Sequence, residues 1–302
     1  MKYIIIGGVA GGATTAARLR REDENGEIIL FERGEFISYA NCGLPYYIGG
    51  KIKNREDLLV QSVTGFSNRY DVDIRTFSEI LSIDTSKKSV TVRNRATGKT
   101  YSENYDKMLL SPGAEPFRPQ IPGIDDPRIL TLRNIPDTDI IKEKISNQTI
   151  KKVVIAGGGF IGLEMAENLR HSGLDVTIIE MAPQVMAPLD PVMASIVHHE
   201  LLSNGVRLLL NEAVSAFDTT GENLKVILKS GKEVPADIVI WSIGVKPETS
   251  LAKEAGLKIG PTGGISVNEY LQTSDENIYA TGDAIEVINP VTGQPAVIPL
   301  AG

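Results

Sequence analysis

Cys42 is the only cysteine in the 302-residue chain, so any disulfide it forms must join it to another molecule. It lies in Ser38-Tyr39-Ala40-Asn41-Cys42-Gly43-Leu44-Pro45-Tyr46. A short helix beginning near Cys42 would stabilise its thiolate, the form that attacks a sulfur–sulfur bond. Two glycine-rich stretches supply the other chemistry. Gly7-Gly8-Val9-Ala10-Gly11-Gly12 follows the apolar run Tyr3 to Ile6, and Gly157-Gly158-Gly159-Phe160-Ile161-Gly162 follows Val153 to Ala156. A strand, a glycine turn and a helix in that order present backbone N–H groups to a pyrophosphate. One such pattern is weak evidence, but two in one chain imply two dinucleotides, electron transfer between them, and Cys42 as the thiol that receives the electrons.

Each turn is followed by a carboxylate at the end of the next strand. Glu32 stands 20 residues after Gly12, placed to accept hydrogen bonds from ribose hydroxyls, and Glu180 ends the strand Val176 to Ile179. Val9 departs from the pattern, because it occupies the place of the glycine that allows close pyrophosphate approach. Read without a ligand, that turn would be a helix cap with a buried valine. The second copy has all three glycines, Gly157, Gly159 and Gly162, and no arginine in Met181 to Val185. A carboxylate there pairs with a free 2′-hydroxyl and repels a 2′-phosphate, which favours NADH over NADPH.

The surrounding elements form an α/β pattern that occurs twice. Helices are predicted over Ala13 to Arg21 and Ile161 to Ser172, the second stopped by Gly173, and buried parallel strands over Ile28 to Phe31 and Val176 to Ile179. Hairpins are predicted around Ser89 to Val92 with Tyr101, and around Lys225 to Leu228 with Gly231 to Val234. Pro116, Pro119 and Pro122 mark a crossing between domains. The net charge of −7 speaks against a nucleic-acid surface. No apolar run reaches the roughly 20 residues needed to span a bilayer, and the apolar start runs into glycines and Arg18, Arg20 and Arg21 rather than a secretory cleavage site. A single thiol fits a reducing cytoplasm.

Thr273-Ser274-Asp275-Glu276-Asn277-Ile278-Tyr279-Ala280-Thr281-Gly282-Asp283 resembles the second FAD signature of the pyridine nucleotide-disulfide oxidoreductases. Ser111-Pro112-Gly113-Ala114 and Trp241-Ser242-Ile243-Gly244 resemble the two turns at which that family's chain crosses between its domains. The resemblance implies two Rossmann-like domains of the glutathione-reductase type, with FAD held by 1–114 and 246–302 and NADH by 115–245. It assigns Gly7, Val9, Ala10, Gly11, Glu32, Arg33, Asn41, Ser111, Pro112, Gly113, Gly282, Asp283, Leu300 and Ala301 to FAD. It assigns Gly157, Gly159, Phe160, Ile161, Gly162, Glu164, Glu180 and Gly244 to NADH. Family members continue into an interface domain that completes the active site across a homodimer, and this domain is expected to be absent from the present chain.

Within the family, Cys42 followed five positions later by Tyr47 resembles the single-cysteine reductases of coenzyme A disulfide or coenzyme A persulfide. Thr14, Arg18, Arg21, Ser38 and Asn41 match coenzyme A contacts there, and Lys51, Lys53, Arg55 and Arg69 would extend a phosphate cradle. The alternative is a single-cysteine NADH oxidase or peroxidase cycling through a sulfenic acid. Those relatives carry a histidine in the first glycine turn, where this chain has Ala10. Its three histidines, His171, His198 and His199, lie on predicted helices of the second half. A non-catalytic dinucleotide-binding fragment is the third reading.

Overall fold

The computed structural model describes residues 1–299 apart from Gln148 and Glu222, so Leu300 and Ala301 lie outside the described residues. In chain order, the elements that build the candidate sites are β1 (Lys2–Ile6), α1 (Ala10–Glu22), β2 (Glu27–Phe31), α2 (Leu44–Ile48), β3 (Asp73–Arg75), β4 (Lys107–Leu110) and β5 (Ile129–Leu130). They continue with α3 (Ile135–Ser146), β6 (Lys152–Ala156), α4 (Phe160–His171), β7 (Asp175–Glu180), α5 (Pro191–Ser203), β8 (Arg207–Leu210), β9 (Ile238–Trp241) and β10 (Ile278–Ala280).

The contacts divide the chain into two compact units. One comprises Met1–Tyr39, Leu59–Glu115 and the chain from Lys246 on, and the other Ala40–Leu58 and Pro116–Val245. The crossings fall at 115/116 and 245/246, close to the expected boundaries. Residues 40–58, expected in the first domain, group with the second unit for a physical reason. Helix α2 packs on α3 and α4. Its end is tied down by the Lys142 ammonium, which donates to the Tyr47 carbonyl, and by ion pairs of Lys51 with Glu167 at 2.5 Å and Arg55 with Asp139 at 2.8 Å.

In the first unit a parallel sheet runs in the order β10-β4-β1-β2-β3. Ile4, Ile5 and Ile28 to Phe31 are buried on both faces of it, which is why these strands read as continuous apolar runs rather than alternating ones. Helix α1 lays Gly12, Ala13 and Ala16 against the sheet. It starts at Ala10, three residues before the predicted start, with Gly11 and Gly12 in its first turn. An antiparallel sheet of Ser78–Asp84, Ser89–Asn94 and Thr100–Asn104 buries Val90 and Val92. The predicted hairpin thus gains a third strand, whose mixed Ser-Glu-Ile-Leu-Ser-Ile-Asp composition hides its alternation.

The second unit repeats the plan with a parallel sheet ordered β8-β7-β6-β9-β5. Here too an antiparallel sheet, of Val214–Asp218, Leu224–Leu228 and Glu233–Ala236, shares a core with the parallel strands around Phe217 and Trp241. In each parallel sheet the chain leaves the central strand, β1 or β6, to one side and later returns on its other side. The crevice therefore opens at the carboxyl ends of β1 and β4 in one unit, and of β6 and β9 in the other.

Candidate active site

The first glycine turn is shaped by contacts that exclude side chains. Gly7 takes φ +99°, and a Cβ there would overlap the Ser111 carbonyl oxygen. A Cβ on Gly12 would overlap the Gly7 carbonyl oxygen, and one on Gly11 would lie 2.5 Å from Ser111 Oγ and 2.8 Å from Thr281 Cγ2. The ends of β1, β4 and β10 and the start of α1 therefore meet around Gly7, Gly11, Ser111 and Thr281. The first-turn N–H groups of α1 have no acceptor within the helix and are available to an anion. Val9 occupies the N-cap, half-buried, with φ −92° and its carbonyl accepting from Ala13 N–H at 3.0 Å. No glycine conformation is required there, so the turn keeps its shape despite the departure from the motif.

Glu32 accepts from Gly8 N–H at 2.8 Å with one carboxylate oxygen and from Gly34 N–H at 2.7 Å with the other. Each oxygen keeps a lone pair for a ribose hydroxyl. Gly113 (φ +75°) follows Pro112, with no atom within 4 Å of where its Cβ would sit. Asp283 lies in the short 3₁₀ turn Gly282–Ala284, and burial holds its carboxyl above the usual carboxylate range. Arg33 is engaged by Glu115 at 2.5 Å.

The second turn reproduces this geometry. Gly157 (φ +105°) abuts the Ser242 carbonyl, and Gly162 abuts that of Gly157. Glu180 accepts from Gly158 N–H at 2.7 Å and from Ala182 N–H at 2.8 Å. Gly159, at the N-cap of α4, has nothing within 4 Å of its Cβ position, and the same holds for Gly244 at φ +132°. Phe160 is exposed at the mouth and Ile161 half-buried beside it. One turn further on, the Glu164 carboxyl is pushed up, first by burial and then by the neighbouring Glu167. Both turns thus fit a dinucleotide: each offers the first-turn N–H groups of a helix and a carboxylate fixed by backbone N–H groups, with open space at Gly113 beside the first turn and at Gly159 and Gly244 in the second.

Sequence reasoning missed a second layer behind each turn. Ser38 N–H donates to the Gly8 carbonyl and Met186 N–H to the Gly158 carbonyl, both at 2.9 Å. Both residues sit in the left-handed region, at φ +45° and +51°. Neither is a glycine, so no composition cue marks the position.

Cys42 is exposed, in the 3₁₀ turn Asn41–Gly43 that leads into α2, and Asn41 is exposed beside it. The expected short helical start at the thiol is present. Thr14, Arg18 and Arg21 are exposed and share a face of α1, with Arg18 paired to Glu22 at 2.5 Å, a solvent-screened contact of little strength. Of the wider cradle, Lys53 is exposed. Lys51 and Arg55 are engaged by carboxylates of α4 and α3, and Arg69 lies over the Tyr70 ring at 5.2 Å. His171 lies on α4, and His198 and His199 on α5.

Among the described residues no group of acidic, histidine or cysteine side chains is arranged to hold a metal, and no helix is long and apolar enough to cross a membrane. Two doubly wound units, each closing on a glycine turn with a carboxylate held behind it, define an α/β protein built to take two dinucleotides. Residues 1–301 match the family described as Pyridine nucleotide-disulphide oxidoreductase, and the chain belongs to that family of FAD- and nicotinamide-dependent enzymes. It is 37% identical over 300 residues to a coenzyme A disulfide reductase of Staphylococcus haemolyticus, covering 99% of this chain and 67% of that one. It is 38% identical to an NADH oxidase of Methanocaldococcus jannaschii, with 99% and 66% covered. The solved structure of reduced Bacillus anthracis CoADR-RHD superimposes with a TM-score of 0.96 at 52% identity, covering 99% of this chain and 54% of that one. A NAD-dependent persulfide reductase from A. fulgidus superimposes at 0.95 and 37% identity, with 99% and 56% covered. The chain therefore spans between about half and two-thirds of the length of these relatives.

Proposed function

We propose that this chain carries the electron path of an NADH-dependent reductase of coenzyme A disulfide or coenzyme A persulfide, acting through a mixed disulfide on Cys42. The carrying observation is the exposed Cys42 thiol, which has no second cysteine anywhere in the chain to resolve it internally. The names of the relatives from S. haemolyticus, B. anthracis and A. fulgidus support the same acceptor class. In this reading the first turn, with Glu32, Ser111 to Gly113 and Asp283, takes FAD. The second, with Glu180, Glu164 and Gly244, takes NADH. Thr14, Arg18, Arg21, Ser38 and Asn41 face the coenzyme A moiety.

The Cys42 thiolate attacks the substrate's sulfur–sulfur bond. A Cys42 Sγ–S bond forms as the substrate bond breaks, and the departing coenzyme A thiolate or hydrosulfide takes a proton from solvent. FAD, held by Glu32, Ser111 to Gly113 and Asp283, would supply the two-electron chemistry by which NADH returns the mixed disulfide to the Cys42 thiolate and free coenzyme A thiol. Glu32 and Glu180 orient the two riboses, and the helix N-termini meet the pyrophosphates. Because Cys42 must be a thiolate again after each cycle, a reducing, cytoplasmic setting suits it.

The relationship to an M. jannaschii NADH oxidase supports a second reading, in which Cys42 cycles through a sulfenic acid. Against it, the first turn holds Ala10, and the histidines sit on helices of the second unit. The test is mass spectrometry of the purified protein with and without reductant, together with Cys42→Ser. A coenzyme A adduct on Cys42 that reductant removes is the expected result, as is a Cys42→Ser protein whose flavin NADH still reduces but which no longer reduces coenzyme A disulfide or persulfide. A Cys42→Ser protein that reduces them at the parental rate overturns the reading.

A further inference from the structure

The second glycine turn is clamped from behind, and a histidine holds the clamp. Gly158 is gripped on three sides. Its N–H donates to Glu180, its carbonyl accepts from Met186 N–H, and a Cβ added to it would lie 2.7 Å from Cγ1 of the fully buried Val185. The first unit has the same arrangement. Gly8 N–H donates to Glu32, the Gly8 carbonyl accepts from Ser38 N–H, and a Cβ on Gly8 would lie 2.7 Å from Cγ2 of the buried Ile37. The fold repeat therefore extends beyond the glycines and the acid to a third station, a buried β-branched residue followed by a left-handed one. Ile37-Ser38 fill it in one unit and Val185-Met186 in the other.

The second unit adds a side-chain acceptor at this station. Val185 N–H donates to Nε2 of His198, a half-buried residue of α5, at 3.1 Å. A ring nitrogen that accepts this bond is unprotonated, so the His198 proton resides on Nδ1. Neighbouring groups are tied down as well: Asn211 N–H donates to the Ala182 carbonyl, Leu189 N–H to the Met186 carbonyl and the Gln184 amide to the Leu189 carbonyl. Removing the imidazole leaves the Val185 N–H without its acceptor at the residue that seats the turn.

We propose that His198 is a positioning residue for the dinucleotide at the second turn, holding Val185 and Met186 against Gly158 so that the α4 N–H groups and Glu180 are pre-aligned. This rests on the reading that the second turn takes the nicotinamide dinucleotide. It acts through the backbone and gives His198 no contact with the reacting atoms. A ligand that meets an aligned turn does not bear the cost of ordering it, so the effect falls on affinity.

The test compares His198→Phe, which fills the space without an acceptor, with His198→Gln, whose side-chain carbonyl can take the Val185 N–H. Both are studied in the FAD-loaded chain. Calorimetric titration with ADP-ribose reads the turn independently of turnover, and rapid-mixing flavin reduction separates the apparent NADH Kd from the limiting rate. His198→Phe is expected to weaken ADP-ribose and NADH binding about tenfold, the scale of a backbone donor left unpaired. The limiting reduction rate and the FAD content should stay unchanged, and His198→Gln should restore binding to within about twofold. Parental binding by His198→Phe, or equal weakening in His198→Gln, overturns the proposal. A parent chain that binds FAD but neither ADP-ribose nor NADH overturns both the proposal and the reading beneath it.

Discussion

Glu180 gives one oxygen to Gly158 N–H and the other to Ala182 N–H, so the carboxylate is fixed before any ligand arrives. A fixed anion is a stronger discriminator than a mobile one, because it cannot swing away from a 2′-phosphate. Two unit charges about 4 Å apart at an effective dielectric of about 20 interact by about 4 kcal/mol, and a fraction of that is enough to set a donor preference. Glu180→Gln retains an acceptor for Gly158 N–H and removes the charge. We expect it to narrow the ratio of NADH to NADPH flavin-reduction efficiency by at least about tenfold, read by rapid mixing. An unchanged ratio would mean that another group makes the choice. The position of the acid beside the turn was legible in the sequence because a carboxylate that ends the strand following a glycine turn comes to lie next to that turn. His198 was not, because its bond to Val185 N–H joins residues 13 apart through a loop whose course no local pattern encodes.

At the level of elements, the glycines divide into those that shape the turns and those that only leave them open. Gly162 cannot carry a methyl group, because the atom it would strike is the Gly157 carbonyl oxygen in the backbone of the turn itself. Gly162→Ala is expected to abolish measurable ADP-ribose binding while FAD content stays near parental, since the first unit has its own turn. Loss of FAD from this variant would contradict the independence of the two turns. The parallel strands beside the two turns and helix α4 were readable to within a residue, the hairpin strands to within two and α1 to within three, because apolar runs and glycine punctuation are local signals. The allegiance of α2 was not. It is set by Asn168, Lys142 and Glu167, residues about a hundred positions away, and α2 sits so close that a Cβ on Gly49 would lie 2.6 Å from Cβ of the buried Asn168. Gly49→Ala should therefore lift α2 from α4, at a cost of about 1–3 kcal/mol, and change the rate at which Cys42 reacts with iodoacetamide. An unaltered rate and melting temperature would show that the packing is more yielding than its geometry indicates.

At the scale of the whole molecule, two cores must survive separately, and each has its own reporter. The only tryptophan, Trp241, lies in the core of the second unit, so its fluorescence follows that unit, whereas on the proposed placement of FAD at the first turn flavin release follows the first. Transitions of two such units need not coincide. The first core contains an imperfection that can be used to tell them apart. Tyr105 is buried there among Val90, Val92, Met108 and Leu257, and its hydroxyl has no hydrogen-bond partner among the described residues. Burial, reinforced by the negative fields of Asp275 and Asp84, pushes the phenol up to about 12. Below pH ~10 the hydroxyl is protonated in both states; above it the unfolded chain ionises while the folded one does not, so stability is lost as pH rises from about 10 through about 12. Tyr105→Phe removes both the orphan hydroxyl and this dependence. It should stabilise the first unit by about 1 kcal/mol at neutral pH, and its advantage over the parent should widen across that alkaline window. Urea titrations followed by flavin release should show the gain and those followed by Trp241 fluorescence should not; a constant difference between variant and parent from pH 8 to 12 would refute the assignment of this titration to Tyr105.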